Sequence, residues 1–306
     1  MPDSTINFTE LRVQIAAGRE RLAALTAYSF PQAKALEKAG IDWILVGDSG
    51  GMVELGYKNT RPVSLSQMLS MTEAVRRGAP KTHIVGDLPF GTYEESPSQA
   101  VATAIAFAKA GDVDAVKLEG GARVAPQVEA IASSGISVMG HLGLTPQGVS
   151  SASPYRVVGR RVNEVRDLIE DAQALKRAGA TSILLEALPP EVTKLVVDAV
   201  DITFFGIGSG PHTHGQLLIL HDIVGLYPNF RPKFAKNFAT DVLANPELLR
   251  LLQSSDNTVI DLVEYAARAY AGNVREGVFP LADHCYLISQ EDLEVVRAHL
   301  GNRDRH

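Results

Sequence analysis

A short pattern recurs in the first two-thirds of the chain, where a basic residue, an alanine and a glycine precede an apolar run that ends near an acid. The pattern begins at Lys38, Lys109 and Arg177. A glycine at this place suits the left-handed residue that ends a helix, and the basic residue favours the negative end of the helix dipole. Near-continuous apolar runs are typical of parallel strands that are covered on both faces. The pattern therefore predicts helices that alternate with parallel strands.

Variants of the same unit bring the number of predicted strands to seven. They comprise residues 22–26, 41–46, 82–86, 113–118, 136–140, 183–185 and 202–206. Helical stretches such as residues 97–109 and 163–177 lie between them, and we place an eighth strand near residues 233–238. Eight units of this kind predict a closed (β/α)8 TIM barrel rather than an open sheet.

Beyond residue 245 the pattern changes to helices, at residues 246–253 and 258–272 and again after Ser289. No low-complexity linker separates these helices from the predicted barrel. We therefore expect a single domain over the 306 residues, with an N-terminal segment (1–20), a barrel (21–245) and a helical C-terminal appendage with its tail (246–306).

The charge balance argues against several classes of partner. The net charge is −6 and no run of Lys or Arg stands out, so we expect neither nucleic acid nor an anionic membrane as a partner. Cys285 is the single cysteine, which excludes a disulfide within the chain and fits a reducing compartment. The N-terminus lacks the basic and apolar regions of a signal peptide, and no apolar stretch is long enough to cross a bilayer. We expect a cytoplasmic protein.

Polar and ionisable residues stand at the ends of the predicted strands. They are Asp48 with Ser49, Asp87, Lys117 with Glu119, His141 and Glu186. Because the carboxyl ends of the strands meet at one rim of a barrel, we expect these side chains to converge there. A rim of surface ion pairs is the structural alternative. Interiors rarely collect so many ionisable groups, however, because each must be paired or coordinated.

Paired carboxylates without a cluster of Cys or His suit a hard divalent cation, Mg²⁺ above all. Such an ion beside Lys117 is a natural receptor for an α-oxo acid, since it polarises the carbonyl while the lysine balances the carboxylate. Glu186 is a candidate base on the carbon next to that carbonyl. The residues therefore indicate proton abstraction to an enolate. His212 and His214 do not favour a zinc site, because no cysteine or suitably spaced third ligand accompanies them.

Six motifs resemble, in order and in register from about Arg21 to His284, those of the ketopantoate hydroxymethyltransferase family. The motifs are residues 46–52 (VGDSGGM), 74–80 (AVRRGAP), 87–90 (DLPF), 116–121 (VKLEGG), 140–147 (GHLGLTPQ) and 233–238 (KFAKNF). The resemblance implies a TIM barrel related to the isocitrate lyase and phosphoenolpyruvate mutase enzymes. It implies transfer of a hydroxymethyl group from 5,10-methylenetetrahydrofolate to 3-methyl-2-oxobutanoate, which gives 2-dehydropantoate for pantothenate biosynthesis. It also implies a large homo-oligomer, typically a decamer.

The resemblance gives each rim residue a role. Asp48 and Asp87 match the Mg²⁺ ligands, and Glu119 resembles the third acid of that site. Ser49 and Lys117 match the positions that hold the oxo acid, in a pocket that Asp48 and Asp87 also line.

The implied catalytic residues are Glu186, Lys117 and His141. Glu186 matches the general base that removes the C3 proton, and His141 matches a rim histidine with a supporting role. Lys117 stabilises the developing enolate together with the metal. The carbanion then attacks the activated one-carbon unit of the folate.

Three loops depart from the family pattern, at residues 58–61, 153–159 and 212–214. They leave two alternatives open. One is a paralogue that acts as an aldolase or hydroxymethyltransferase on a different 2-oxo acid or with a different one-carbon donor, such as formaldehyde. The other is a non-catalytic barrel retained as an assembly subunit, against which the intact set of rim acids argues.

Overall fold

A computed structural model describes residues 6–148, 155–256 and 258–301. In this part of the chain eight parallel strands close a barrel, and each strand pairs with the next in chain order. The strands are β1 (Leu22–Thr26), β2 (Trp43–Val46), β3 (His83–Asp87), β4 (Ala115–Glu119), β5 (Ser137–Gly143), β6 (Ser182–Glu186), β7 (Thr203–Ile207) and β8 (Gly215–Leu218). The predicted (β/α)8 barrel with a helical C-terminal appendage is confirmed, and the seven strands predicted up to residue 206 each overlap an observed strand.

Thirteen α-helices in the described residues cover the barrel and form its appendage. They are α1 (Phe8–Ala16), α2 (Phe30–Ala39), α3 (Gly50–Val53), α4 (Leu65–Gly78), α5 (Pro97–Gly111), α6 (Ala125–Ser133), α7 (Val162–Arg177), α8 (Pro190–Ala199), α9 (Leu220–Val224), α10 (Phe238–Ala244), α11 (Pro246–Gln253), α12 (Thr258–Arg275) and α13 (Gln290–Gly301). Within the described ranges no helix is both long and apolar enough to cross a membrane.

The predicted position of the eighth strand was wrong. Residues 233–238 form a turn that leads into α10, and β8 lies earlier, at Gly215–Leu218, where it pairs with β1 and β7. The polar Gln216 hides this strand in the sequence, although its amide is satisfied inside the barrel by Gly210 O at 3.0 Å and Thr213 Oγ1 at 2.9 Å. A buried glutamine breaks the apolar run on which the prediction depended.

The glycines of the repeated pattern end their helices in two different ways. Gly40 takes the left-handed conformation (φ +78°) that the pattern predicts. Gly111 is instead the last residue of α5, and Asp112 takes the left-handed position (φ +44°). A Cβ at Gly111 would lie 2.3 Å from Thr72 Cγ2, so this glycine allows α4 and α5 to pack closely.

The two ends of the barrel differ in character. At the amino end of the strands, Phe8 of α1 packs against Trp43, His83 and Phe205, with ring centroids 4.4 to 5.8 Å apart. These aromatic contacts close the barrel at the amino end of its strands. In the appendage, α12 packs against β1, and its Tyr270 hydroxyl donates to Gln216 O at 2.8 Å. The carboxyl end of the strands is left open for a polar site.

Candidate active site

The seven rim residues predicted from the sequence border one cavity of about 580 Å³. Asp87, Glu119 and Glu186 are the last residues of β3, β4 and β6, and Lys117 and His141 project from β4 and β5. Asp48 and Ser49 lie in the turn after β2. All seven are buried except Ser49 and Glu186, which are half-buried. The barrel thus brings together every side chain that the strand-end argument selected.

Lys117 is the positive centre of the cluster. Its Nζ lies 2.9 Å from Asp87 Oδ1, 3.6 Å from Glu119 Oε1 and 3.3 Å from His141 Nδ1. Burial alone would lower the pKa of this ammonium, but the surrounding carboxylates more than offset burial, and the pKa of Lys117 is raised. Lys117 therefore stays charged and cannot serve as a neutral amine base.

Three buried carboxylates face that single ammonium. Burial, followed by the charge of a neighbouring carboxylate, raises the pKa of Asp48. The pKa of Asp87 is raised well above its usual range by burial and by the charges of Asp48 and Glu119, against the opposing effect of Lys117. Burial also raises the pKa of Glu119. With all three carboxyl groups ionised the cluster would carry more negative charge than Lys117 can balance, so a further cation would stabilise that form.

Gln147 is the functional residue that the site argument missed. It is buried in the turn after β5, where its backbone N–H donates to Glu119 Oε2 at 2.9 Å. Its Nε2 donates to Asp48 Oδ2 and to Leu88 O, both at 2.9 Å, and Tyr93 donates to its Oε1 at 2.6 Å. An uncharged glutamine in a loop gives no sign of a metal or a base, although Gln147 is the last residue of the motif at residues 140–147. It holds two of the three carboxylates in place.

His141 lies between the cluster and Glu186. Its Nε2 is 3.1 Å from Glu186 Oε2. The angles do not meet those of a hydrogen bond, so Nε2 has no hydrogen-bond partner among the described residues. Burial and then the charge of Lys117 lower the pKa of His141, so the ring is neutral. Because the ammonium of Lys117 is a donor at Nδ1, we assign the ring proton to Nε2, on the side of Glu186.

The backbone around Glu186 is tightly constrained. The next residue, Ala187, has a left-handed conformation (φ +54°) and donates its N–H to Ile207 O at 3.0 Å. On the other side, a Cβ at Gly143 (φ +91°) would lie only 2.2 Å from Glu186 O. Leu144 N donates to the same carbonyl at 2.9 Å. Unfavourable backbone conformations of this kind persist where the surroundings fix the position of a functional side chain.

The donor set fits a hard divalent cation. Asp48 and Asp87 are tied together by a hydrogen bond from Asp48 N to Asp87 Oδ2 at 3.0 Å. Asp87 Oδ1 forms an ion pair with Lys117. It accepts no well-aligned hydrogen bond from the described residues. Residues 6–148, 155–256 and 258–301 contain no group of three or more His, Cys, Asp or Glu side chains arranged as a metal-ligand set. A Mg²⁺ ion, which keeps several waters and takes only one or two carboxylates, suits this arrangement.

His212 and His214 differ from the rim residues, because neither borders the cavity. His214 Nδ1 accepts a hydrogen bond from Phe204 N at 3.0 Å, beside the strand pair β7 and β8. Burial, together with the charges of Arg12 and Arg21, lowers the pKa of His214 to about 4. The ring is a neutral structural acceptor.

Comparison with known proteins decides the family. A sequence profile described as ketopantoate hydroxymethyltransferase matches residues 6–282. The chain belongs to the ketopantoate hydroxymethyltransferase family. The prediction made from the six motifs is thereby confirmed, as is the prediction that the chain is an enzyme of this kind.

Relatives in this family are similar over most of the chain. The chain is 44% identical to the 3-methyl-2-oxobutanoate hydroxymethyltransferase of Alkaliphilus metalliredigens (strain QYMF), over 92% of this chain and 94% of the relative. It is 50% identical to the enzyme of the same name from Ignicoccus hospitalis (strain KIN4/I), over 72% of this chain and 82% of the relative.

Solved structures with low identity share the fold. A 2,3-dimethylmalate lyase, described as a member of the PEP mutase/isocitrate lyase superfamily, has a TM-score of 0.53 at 16% identity and covers 85% of this chain and 92% of its own. A phosphonopyruvate hydrolase in complex with oxalate and Mg²⁺ has a TM-score of 0.51 at 15% identity, with 98% of each chain covered. The chain thus shares its barrel fold with these structures.

Proposed function

We propose that this family member transfers a hydroxymethyl group from 5,10-methylenetetrahydrofolate to 3-methyl-2-oxobutanoate through an enolate, and so produces 2-dehydropantoate. The observation that carries the proposal is the convergence of Lys117, the Asp48–Asp87 pair and Glu186 on one cavity. The names of these relatives, 3-methyl-2-oxobutanoate hydroxymethyltransferase, support the oxo acid as the substrate.

Asp48 and Asp87 would hold Mg²⁺, with Glu119 as the third acid beside it. The presence of Mg²⁺ in the related phosphonopyruvate hydrolase structure supports this metal. When bound, the ion would polarise the oxo group and stabilise negative charge that develops on its oxygen. Gln147 orients two of these acids through its hydrogen bonds to Asp48 and Glu119.

Lys117 and Ser49 would orient the oxo acid. The permanent charge of Lys117 attracts the substrate carboxylate and offsets the charge of the enolate as it forms. Ser49 Oγ lies 2.9 Å from the hydroxyl of Tyr28, which fixes the direction of this polar group at the edge of the cavity. Burial of the cluster strengthens each of these electrostatic interactions.

Glu186 would remove the C3 proton. The electron pair of the C3–H bond enters the C2–C3 bond, and the oxo group becomes the enolate oxygen. Neutral His141, whose Nε2 lies 3.1 Å from Glu186 Oε2, borders this carboxylate on the side of the metal cluster. C3 then forms a bond to the one-carbon unit, and both bonds of that carbon to the folate nitrogens break. One water supplies the hydroxyl group of the product, and the two nitrogens take up the proton removed from C3 and the remaining proton of the water.

The half-reaction with the oxo acid tests this mechanism. We expect the chain, given Mg²⁺ and 3-methyl-2-oxobutanoate in D₂O, to exchange the C3 proton without any folate, as followed by NMR. Absence of exchange with this acid, but exchange with another acid in a panel of 2-oxo acids, would instead favour the paralogue. Failure to bind Mg²⁺ or any oxo acid in calorimetry would favour a non-catalytic subunit.

We also propose that the enzyme is a homo-oligomer, on the basis of the family resemblance alone. Light scattering after size-exclusion chromatography would give the mass of the assembly in solution. A monomeric mass would contradict the proposal.

A further inference from the structure

The cavity is also lined by residues that follow β8. Here the wall is aromatic and consists of Tyr227, Phe230, Phe234 and Tyr286, which we call the aromatic wall. The rings of Phe234 and Tyr286 meet edge to face, with centroids 6.3 Å apart. A volume of about 580 Å³ lies within the range of pockets for drug-sized ligands and exceeds what a small branched oxo acid fills. The cavity therefore has space for a second, larger molecule.

One carboxyl group in the lining of the same cavity has no use in the chemistry described above. Asp222, in α9, is only 4% exposed, and its Oδ2 has no hydrogen-bond partner among the described residues. Burial raises the pKa of Asp222 to about 6, against the lowering effect of His221 and Arg231, so the group is ionised at neutral pH. A buried carboxylate oxygen without a donor costs free energy unless a ligand supplies one.

The neighbouring histidine does not supply that donor. His221 Nε2 lies 3.2 Å from Glu54 Oε1, so its closest charged partner is Glu54 rather than Asp222. The backbone of Asp222 is nevertheless fixed, because its N–H donates to Ile219 O at 3.0 Å and Leu220 N donates to Thr26 Oγ1 at 3.1 Å. The carboxylate is held firmly at the cavity edge and left free to accept hydrogen bonds.

We propose that Asp222 and the aromatic wall bind the pteridine ring of the one-carbon donor, with the Asp222 carboxylate accepting hydrogen bonds from the ring N–H and the adjacent amino group. This assignment depends on the proposed function, which supplies a folate as the donor. A flat ring with two neighbouring N–H donors matches a carboxylate in a paired geometry, and the aromatic wall offers apolar contact to its faces.

The place of Asp222 suits transfer to the enolate. Tyr28 lies between Ser49 and the helix that carries Asp222, because its hydroxyl is 2.9 Å from Ser49 Oγ while its ring lies 5.6 Å from the ring of His221. Asp222, Ser49 and Lys117 line the same cavity, so a donor ring held at Asp222 would share that cavity with the oxo acid.

Binding of tetrahydrofolate to the full-length protein, measured by calorimetry with Mg²⁺ and the oxo acid present, tests the proposal. Asp222→Asn keeps the shape of the side chain but removes its charge. We expect it to weaken tetrahydrofolate binding by about 10- to 100-fold, the usual effect of losing a charged hydrogen-bond partner. Exchange of the C3 proton in D₂O, which needs no folate, should stay within about two-fold of the wild-type rate, because substitutions at independent sites affect each other little. Asp198→Asn, at an exposed site on α8, is the matched control. It should change neither the affinity for tetrahydrofolate nor the rate of C3 proton exchange.

A folate analogue that lacks the 2-amino group makes the test specific to the ring. It should bind the wild type more weakly than tetrahydrofolate does, and this difference should largely disappear in Asp222→Asn. Asp222→Ala provides a second variant if Asp222→Asn does not fold. Equal affinity of a folded Asp222 variant and the wild type for tetrahydrofolate would overturn the proposal while leaving the proposed function intact. A wild-type chain that exchanges the C3 proton but does not bind tetrahydrofolate would overturn both this site and the assigned donor.

Discussion

Gln147 donates its side-chain amide to Asp48 Oδ2 at 2.9 Å, and this bond joins the turn after β5 to the turn after β2. The two residues are 99 positions apart in the chain. The same side chain accepts from Tyr93 and donates to Leu88 O, so its position is fixed from three directions. An uncharged residue thus determines where a charged candidate metal ligand points.

Replacement of this glutamine should therefore weaken metal binding. We expect Gln147→Leu to lower Mg²⁺ affinity about 10- to 100-fold, the usual effect of losing a group that orients a ligand. It should also lower the free energy of unfolding by about 1–3 kcal/mol, because Tyr93 and Leu88 O lose their partner. Calorimetric Mg²⁺ titration and urea unfolding measure the two effects. Gln127→Leu, at another buried glutamine that does not border the cavity, should leave Mg²⁺ affinity unchanged.

Glu186→Gln should separate binding from chemistry. The amide has nearly the same shape but cannot accept the C3 proton, so proton exchange in D₂O should fall by at least about 10²- to 10⁴-fold, the usual contribution of a general base. Oxo-acid affinity, measured by calorimetry, should stay nearly that of the wild type. Glu129→Gln, at an exposed site on α6, serves as the control. Near-normal exchange in Glu186→Gln would remove this residue as the base.

The sequence predicts the charged part of the site and misses its uncharged support. Asp48, Asp87, Lys117 and Glu186 are predictable because a charge at the end of an apolar run is unusual in a buried strand. Gln147 is not, since a neutral loop residue carries no comparable signal before the fold brings it to the carboxylates. Only the closed barrel shows which loops meet across its rim.

The same limit explains why the position of the eighth strand was predicted wrongly. Seven strands are predicted because they are nearly all apolar, whereas β8 opens with Gly215 and Gln216. Gly215 is required by close contact, since a Cβ there would lie 2.5 Å from Leu22 O on β1. Gln216 is tolerated because its amide is bonded inside the barrel. Gly215 and Gln216 therefore both depend on contacts with residues distant in the sequence. Hydrophobic periodicity contains no information about such contacts.

Gly143→Ala should impair the reaction without altering any polar group. The added Cβ would lie 2.2 Å from Glu186 O, so the backbone that carries the base must shift. We expect at least about a 10²-fold loss of C3 proton exchange, consistent with the effect of small misplacements of catalytic groups. Gly135→Ala is the matched control, because Gly135 also has a left-handed conformation (φ +87°), but no atom of the described residues lies within 4 Å of the new methyl group. It should cost stability alone, and equal loss of exchange in both variants would contradict the steric explanation.

His214 should make the stability of the protein fall as the pH is lowered. Its pKa is about 4 in the folded chain and near 6.5 when unfolded, because burial and nearby arginines disfavour the charged ring. Between these two values the unfolded chain binds a proton that the folded chain does not, so the free energy of unfolding decreases as the pH falls from about 6.5 to about 4. His214→Asn provides an amide oxygen for the N–H of Phe204 but cannot titrate. Urea unfolding at several pH values should show a shallower pH dependence for His214→Asn than for the wild type. His299→Asn, at an exposed position on α13, should keep the wild-type dependence, and parallel curves for His214→Asn and the wild type would contradict the prediction.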